Sequence, residues 1–186
     1  MKKEIRILSV DDAPFDKFKD RDVLVVGVMM RRGQWVDGVM STRVRVDGRN
    51  STAKLVSMIN KSKFKPQLQA VILDGIAFGG FNIVDIERLN LETNLPVIVV
   101  IRRMPDFRKI KKTLKKLGKE EKYKLIEKAG DVVEVKGIYV QFKGVGIDAV
   151  KGILDAACTR SLLPESLRVS HMVGAGIIRG ESKGNA

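Results

Sequence analysis

Apolar residues dominate three stretches near the start of the chain, and these stretches predict β-strands. Residues 5–10 indicate a short buried strand, residues 22–30 are rich in Val and Leu, and residues 35–46 follow after a polar turn. Because the links between the three strands are short, we expect them to form an antiparallel meander.

The following part of the chain alternates between helical and strand patterns. Asn50 and Ser51 open a predicted helix that runs to about residue 61. Residues 71–73 and 96–101 are apolar and predict two further strands. Between these two strands we expect a glycine-bearing loop and then a second helix.

The glycine-bearing loop contains three candidate binding residues. Asn82 has a helix-capping residue type and Asp85 occupies the capping-box position three residues later, so we expect a helix to begin there. The backbone N–H groups of Gly75, Gly79 and Gly80 would then precede a helix N-terminus, where they could hold a phosphate of a nucleic acid. The loop matches neither common glycine-rich nucleotide motif, and a tight strand-to-helix connection is the alternative.

The last part of the chain is predicted to be helical, apart from one hairpin. A basic helical stretch occupies residues 102–128, residues 131–135 and 138–142 alternate as in a hairpin, and residues 147–158 and 165–179 predict two more helices. The element order is therefore β-β-β-α-β-α-β, followed by helices and a late hairpin. This order is typical of the α/β ribonuclease H-like plan, in which an antiparallel meander precedes parallel strands in one mixed sheet flanked by helices.

Length and composition agree with one folded domain over residues 1–186. Hydrophobic residues make up 44% of the 186 positions and charged residues 31%, which is too apolar for a disordered chain. No repeat or low-complexity linker divides the chain. The polar, glycine-bearing residues 180–186 are expected to form a flexible tail.

The residue content excludes several classes of protein. The longest apolar runs, at residues 23–30 and 95–101, are too short to span a membrane. With one cysteine, Cys158, and one histidine, His171, an internal disulfide framework and a zinc-finger cluster are both excluded. Both side chains lie on apolar helical stripes, so we expect them to be packing residues. We therefore expect a cytoplasmic protein with no membrane partner, and the sequence leaves the oligomeric state open.

Aspartates close two of the predicted strands. Asp11 and Asp12 follow the first strand, and Asp74 follows the fourth. In the ribonuclease H-like plan these strands are parallel neighbours, so their carboxyl ends meet at the edge where α/β sheets bind ligands. Paired carboxylates suit Mg²⁺ or Mn²⁺, and metal sites of this kind cleave phosphodiesters. The alternative is turn chemistry, because Asp and Asp-Gly are common where strands end.

The net charge of +13 is concentrated in the basic helical stretch, where residues 102–128 hold twelve basic and four acidic side chains. A concentrated positive field attracts polyanions, and phosphate contacts would make the binding of nucleic acid salt-dependent. A solvated helix face is the alternative, since apolar residues recur at helical spacing along the stretch. The candidate nucleic-acid-binding residues here are Arg102, Arg103, Lys111, Lys112, Lys115 and Lys116.

Four motifs occur in order along the chain. They lie at residues 10–15 (VDDAPF), 72–82 (ILDGIAFGGFN), 95–100 (LPVIVV) and 163–171 (LPESLRVSH). Together they resemble an uncharacterised archaeal protein family related to endonuclease V, and the resemblance covers most of the chain. It implies the ribonuclease H-like fold, Mg²⁺ binding and cleavage of DNA or RNA near deaminated bases. It also implies that Asp11 and Asp74 correspond to metal-binding aspartates.

Three features of endonuclease V have no equivalent in the sequence. Those enzymes carry a catalytic glutamate after the third strand, whereas no glutamate occurs here between Glu4 and Glu87. Their histidine after the late strand and their aromatic wedge, which holds the strand open at the lesion, are also missing. Asp12, Asp37 or Asp47 are alternatives for a third oxygen ligand, and the sequence does not select among them.

Three functional hypotheses follow. In the first, the protein binds nucleic acid and a divalent metal and has phosphodiesterase activity; Asp11 and Asp74 hold the metal and carry the catalysis, with Asp12 as an auxiliary ligand. In the second, the protein binds nucleic acid without catalysis, because the glutamate has been lost. In the third, it binds a protein or a nucleotide, and its basic face serves solubility or assembly.

Overall fold

The computed structural model describes residues 4–182 as a mixed β-sheet covered by helices, and residues 183–186 of the predicted tail lie outside the described residues. None of the helices in residues 4–182 is both long enough and apolar enough to cross a membrane. The strands are β1 (Arg6–Asp12), β2 (Asp22–Arg31), β3 (Trp35–Arg45), β4 (Ala70–Asp74), β5 (Ala77–Phe78), β6 (Asn82–Ile83), β7 (Val97–Ile101), β8 (Val133–Val135) and β9 (Ile138–Lys143). The helices are α1 (Ser51–Asn60), α2 (Ile86–Thr93), α3 (Phe107–Lys116), α4 (Tyr123–Lys128), α5 (Ile147–Ala157) and α6 (Glu165–Arg179).

The strand order confirms the ribonuclease H-like plan. The large sheet has the order β3-β2-β1-β4-β7-β9-β8. The strands β1, β2 and β3 pair antiparallel as the expected meander, whereas β4 lies parallel to β1 and β7 lies parallel to β4. The late hairpin of β8 and β9 joins β7 in antiparallel orientation. The first and fourth strands are therefore neighbours at the centre of the sheet, as predicted.

Helices cover both faces of the sheet, because its central strands are apolar on both sides. β1 and β4 are buried over most of their length, so their sequences are nearly continuous apolar runs. On one face α1 and α2 pack into the core through Leu55, Ile59 and Leu89. On the other face α5 and α6 contribute Ile153 and Leu167 to a second core. The ends of β1 and β4 thus lie between two helical layers.

The basic stretch is not one continuous helix. α3 ends at Lys116, Gly118 has a positive φ of 63°, and a short 3-10 turn at Glu120–Lys122 leads into α4. Leu114 of α3 and Ile83 of β6 meet in a separate small core. This core seats the basic stretch on the hairpin formed by β5 and β6.

The predicted helix cap at Asn82 is wrong. α2 begins only after Asp85, whose side chain accepts a hydrogen bond from the N–H of Arg88 at 3.0 Å. Asn82 instead lies fully buried in β6, where its side chain accepts from the N–H of Ser51 at 3.0 Å and donates to the Arg45 carbonyl at 2.9 Å. The Asn82 side chain therefore provides a hydrogen-bond acceptor for the first N–H of α1. The glycine-bearing loop leads into a hairpin rather than a helix.

Candidate functional site

Three aspartates lie at neighbouring strand ends. The last paired residues of β1 and β4 are Val10 and Leu73, and Asp11 and Asp74 follow directly on the two strands. Because side chains alternate along a strand, Asp11 and Asp74 point to the face covered by α6, whereas Asp12 points toward the glycine-bearing loop. The topology therefore brings together carboxylates that are far apart in the sequence.

An open cleft of about 500 Å³ lies at this edge of the sheet. Its walls contain all three aspartates together with two arginines and one histidine. The lining residues are Asp11, Asp12, Ala13, Pro14, Phe15, Asp74, Arg102, His171 and Arg179. Four of the candidate site residues, the three aspartates and Arg102, thus share one cavity.

His171 belongs to the cleft, so the expectation that it is a packing residue is wrong. Its Nδ1 lies 3.0 Å from Oδ2 of Asp11. Small side chains let α6 approach β1 closely: the hydroxyls of Ser9 and Ser166 are 2.6 Å apart, and Ser170 donates to the Ser9 carbonyl at 2.9 Å. This close approach carries the imidazole to the aspartates.

Burial and like charge act together on the aspartates. Burial raises the pKa of Asp11 to about 7, with further contributions from the charges of Asp74 and Asp12. The hydrogen bond with His171 opposes this shift. Burial also raises the pKa of Asp12, against a hydrogen bond from the N–H of Gly79 at 2.6 Å. Crowded carboxylates of this kind favour either a bound proton or a bound cation.

Arg102 supplies positive charge at the rim of the cleft. Its Nη2 donates to Oδ2 of Asp74 at 3.1 Å, and its side chain is 44% exposed. An exposed ion pair of this kind contributes little to stability, on the order of 0–1 kcal/mol. The Arg102 guanidinium can therefore leave Asp74 and bind another anion at a small cost in free energy.

The donor set suits a hard divalent cation held partly by water. Oδ1 of Asp74 accepts no hydrogen bond from the described residues, and carboxylate oxygens are the ligands that Mg²⁺ prefers. Within residues 4–182, no three His, Cys, Asp or Glu side chains are arranged to hold a metal ion by themselves. Mg²⁺ commonly needs only one or two carboxylates, because waters and a substrate phosphate complete its shell. The residues of the cleft fit a cation bound in this way.

Of the three alternatives for an additional oxygen ligand, only Asp12 lines the cleft. Asp37 forms salt bridges with two arginines, one of which is the first residue of β1, at the end of the strand away from the cleft. Asp47 accepts from the N–H of Phe81 at 2.7 Å and pairs with Lys119 at 2.9 Å. Both carboxylate oxygens of Asp47, the acidic residue that follows β3, therefore accept hydrogen bonds from other parts of the fold.

In the glycine-bearing loop, two of the three glycines expected to hold a phosphate have N–H groups that already donate hydrogen bonds within the protein. The N–H of Gly79 donates to Asp12 at 2.6 Å, and the N–H of Gly75 donates to the Val100 carbonyl at 3.0 Å. Gly80 is exposed and has a positive φ of 84°, which favours glycine. Since the N–H groups of Gly75 and Gly79 are already engaged, the loop positions Asp12 rather than a phosphate.

The basic residues of positions 102–128 include a buried lysine and an exposed group. Lys122 is 4% exposed, and its Nζ donates to three carbonyls at 2.7–2.8 Å, those of Asp47, Gly48 and Phe81. The exposed group contains the candidates for binding nucleic acid, Arg102, Arg103, Lys111, Lys112, Lys115 and Lys116. Among residues 4–182, the four lysines of this exposed group take part in no salt bridge.

Cys158, which was expected to be a packing residue, is half-buried. Its Sγ lies 3.3 Å from the Leu162 carbonyl oxygen. Burial raises the pKa of the thiol to about 11, so the thiol stays protonated and poorly nucleophilic at neutral pH.

Endonuclease V shares this fold. The enzyme from Bacillus subtilis aligns with a TM-score of 0.59 over 96% of this chain and 81% of that chain, at 10% identity. An endonuclease V from Ciona intestinalis, in complex with a 24mer DNA containing an inosine followed by a ribo-adenosine, aligns with a TM-score of 0.57 over 90% of this chain and 83% of that chain, at 13% identity. At such identities the likeness shows the fold alone.

The archaeal resemblance extends over the whole chain. A UPF0215 protein of Methanothermobacter thermautotrophicus is 45% identical over 191 residues, which cover 100% of this chain and 94% of that protein. The crystal structure of a protein of unknown function from Archaeoglobus fulgidus is 38% identical and has a TM-score of 0.88, covering 95% of this chain and 99% of that chain. The family model described as Endonuclease dU matches residues 3–178. The chain therefore belongs to the Endonuclease dU family.

Proposed function

We propose that the protein is a divalent-cation-dependent endonuclease that cleaves nucleic acid at a deaminated base, with deoxyuridine in DNA as the first candidate. The observation that carries the proposal is the pair Asp11 and Asp74 at adjacent parallel strand ends in an open cleft. Burial and neighbouring carboxylates raise the pKa of Asp11, a pattern that is common at catalytic and metal sites. The family description, Endonuclease dU, supports both the reaction and the base.

In this proposal the aspartates hold the cation and the arginines hold the substrate. Asp11 and Asp74 are the principal ligands, with Asp12 as an auxiliary oxygen. When bound, Mg²⁺ or Mn²⁺ supplies Lewis acidity toward the phosphodiester and lowers the pKa of a water. Arg102 and Arg179 line the same cleft, and their guanidinium groups suit the charge and planar geometry of phosphate oxygens.

His171 is placed to move a proton. Its Nδ1 faces Oδ2 of Asp11 at 3.0 Å, which favours a proton on Nδ1 and leaves Nε2 as the acceptor. A neutral imidazole in this tautomer can take a proton from a water and later return it to a leaving oxygen. Asp11 therefore orients the imidazole as well as contributing charge.

The exposed lysines of α3 extend the binding surface beyond the cleft. Lys111, Lys112, Lys115 and Lys116 are exposed, and Arg103 stands between β7 and α3. We assign them contacts with backbone phosphates, which release counterions and carry no base preference. The base itself would be recognised at the cleft.

One observation favours a second candidate, a nucleic-acid-binding protein without catalysis. No glutamate occurs between Glu4 and Glu87, and Asp47, the acidic residue that follows β3, is paired with Lys119. The cleft then has no carboxylate from that segment. Cleavage and binding must therefore be measured separately.

The deciding experiment compares oligonucleotides that differ at one base. DNA strands with a single uracil or with thymine at the same position, and the matching RNA, are incubated with Mg²⁺, Mn²⁺ or EDTA. The variant Asp74→Asn keeps the size of the side chain and removes its charge. Asp148→Asn is the matched control, because Asp148 is 92% exposed and does not line the cleft.

Each outcome selects one conclusion. Uracil-dependent cleavage that requires the metal, disappears in Asp74→Asn and persists in Asp148→Asn supports the endonuclease. Salt-sensitive binding without cleavage under any metal condition supports the non-catalytic candidate. A protein that neither binds nor cuts these strands contradicts both.

A further inference from the structure

Phe18 is the most exposed of the large hydrophobic side chains in residues 4–182. Its side chain is 93% exposed and lies in the loop between β1 and β2. Burying a phenylalanine side chain stabilises a fold, and here that stabilisation is forgone. Phe15, which lines the cleft, and Phe81, which lies beside Lys17, instead pack at least partly against the main core and the small core beneath α3.

The loop holds Phe18 in a defined position. The Asp16 carbonyl accepts from the N–H of Lys19 at 3.2 Å and of Asp20 at 2.8 Å. The Asp16 side chain accepts from the N–H of Phe18 at 2.9 Å, and the Asp20 side chain accepts from the N–H of Asp16 at 2.7 Å. These reciprocal hydrogen bonds make the loop a preformed turn with Phe18 at its exposed tip.

This turn lies between the acidic cleft and the small core on which α3 of the basic stretch packs. The residues that open the loop, Pro14 and Phe15, line the cleft. Farther along, the ammonium of Lys17 lies 6.0 Å from the centre of the Phe81 ring, and Phe81 packs in the small core that also contains Leu114 of α3. A strand that passed from the cleft toward the basic stretch would meet the loop.

We propose that Phe18 stacks on a base of the bound nucleic-acid strand. The inference rests on the proposed function and adds to it a contact with the face of a base. An exposed ring flanked in sequence by Lys17 and Lys19 combines a stacking surface with positive charge, the combination found in proteins that bind single strands. Lys19 pairs with Asp16 at 3.7 Å, an exposed contact that a phosphate of the strand would replace. The preformed turn reduces the ordering that such a contact would otherwise require.

The test compares strands with and without bases. Binding is measured for a single-stranded oligonucleotide and for an abasic oligonucleotide of the same length, in EDTA so that no cleavage occurs. Phe18→Leu should weaken binding of the base-bearing strand about tenfold and leave binding of the abasic strand unchanged, whereas Phe18→Tyr should restore the loss. Trp35→Leu is the matched control, because Trp35 is also an exposed aromatic, at 67%, but stands beside Arg31 at the other end of the sheet.

A second measurement reports stacking directly. The sequence contains one tryptophan, Trp35. In a Trp35→Phe background, Phe18→Trp places the only indole at the tip of the turn. Its fluorescence should be quenched by the base-bearing strand and not by the abasic strand, because quenching requires contact with a base.

The outcomes separate this inference from the proposed function. If wild-type protein binds the base-bearing strand and Phe18→Leu binds it equally well, with no quenching in the tryptophan variant, the stacking role is wrong and nucleic-acid binding stands. If wild-type protein binds neither strand, the proposed function fails and the stacking role fails with it. An equal loss in Phe18→Leu and Trp35→Leu would show a non-specific effect of removing an exposed ring, and would overturn the assignment to Phe18.

Discussion

The acidic cleft and the basic stretch differ in the sign of their charged residues and in how the fold arranges those residues. In the cleft, Asp11 and Asp74 come from strands far apart in the sequence and are forced together at adjacent strand ends, where burial and mutual repulsion raise the pKa of Asp11. In the basic stretch, residues close in sequence are separated by role. Lys122 is buried on three carbonyls, whereas Lys112 is exposed.

The contrast shows how far charged residues in a sequence indicate a binding site. A run of lysines predicts a larger binding surface than the structure contains, because two of them make internal contacts. Lys119 pairs with the Asp47 side chain, and Lys122 donates to the Asp47 carbonyl and neighbouring carbonyls. Two aspartates far apart in the sequence give little sign of an acidic cleft, because only the parallel pairing of β1 and β4 brings them together. Substitutions in the cleft and in the basic stretch test the two halves of this comparison.

The largest effect is expected for cleavage. Asp11→Asn and Asp74→Asn should each reduce the rate roughly a thousandfold, about 4 kcal/mol in the barrier, since each removes a charge that holds the cation. The double variant should lose little more than either single variant, because both side chains serve one site. Single-turnover rates with saturating metal provide the measurement. Losses that multiply in the double variant would show that the two aspartates act independently.

The next largest effect is expected for stability, at Lys122. Lys122→Met keeps most of the side-chain volume but leaves three carbonyls without their charged donor, so the free energy of unfolding should fall by about 3 kcal/mol. Lys112→Met, on exposed α3, should change it by less than about 0.5 kcal/mol. Urea denaturation of the two variants measures both values. Equal stability of the two would remove the distinction between buried and exposed lysines.

Charge reversal on α3 should have a smaller effect, and only on binding. Changing Lys111, Lys112, Lys115 and Lys116 to Glu should weaken binding of a single strand about fiftyfold and lower the slope of log affinity against log salt by up to about 3. The control reverses four exposed lysines outside the stretch, Lys54, Lys61, Lys63 and Lys151. Titrations at several salt concentrations compare the two proteins. The same loss in both would mean that only net charge matters.

The smallest effect is expected for the pH dependence of stability at Asp11. The pKa of Asp11 in the folded protein, about 7, lies above the ordinary value of 3.8, so protonated Asp11 stabilises the folded state. This stabilisation is complete below pH 3.8 and is lost as the pH rises through 7. Asn does not titrate. The stability of Asp11→Asn relative to wild type should therefore increase by about 2 kcal/mol between pH 5 and pH 8, measured by denaturation in EDTA. A constant difference across that range would contradict the raised pKa.

The sequence predicts those features whose cause is local. The apolar runs of β1 and β4, the aspartates that close them and the extent of α6 all follow from neighbouring residues, and the structure matches these expectations. Asn82 and His171 were misassigned because their partners are distant: Asn82 bonds to Ser51, and His171 bonds to Asp11, 160 positions away. For His171 a signal was present nonetheless. Ser166, Ser170 and Gly174 recur every fourth residue, and small residues at that spacing allow a helix to approach a strand closely.

The contact between Ser9 and Ser166 spans 157 positions and has a consequence for the order in which the protein is made. Synthesis delivers β1, β4 and β7 well before α6, so a chain still attached to its ribosome can pair its central strands while His171 is not yet in place. Contacts of such long range also form slowly. The cleft is therefore completed only when α6 docks, and we expect an unfinished chain to carry the aspartates without the imidazole that the proposed chemistry uses.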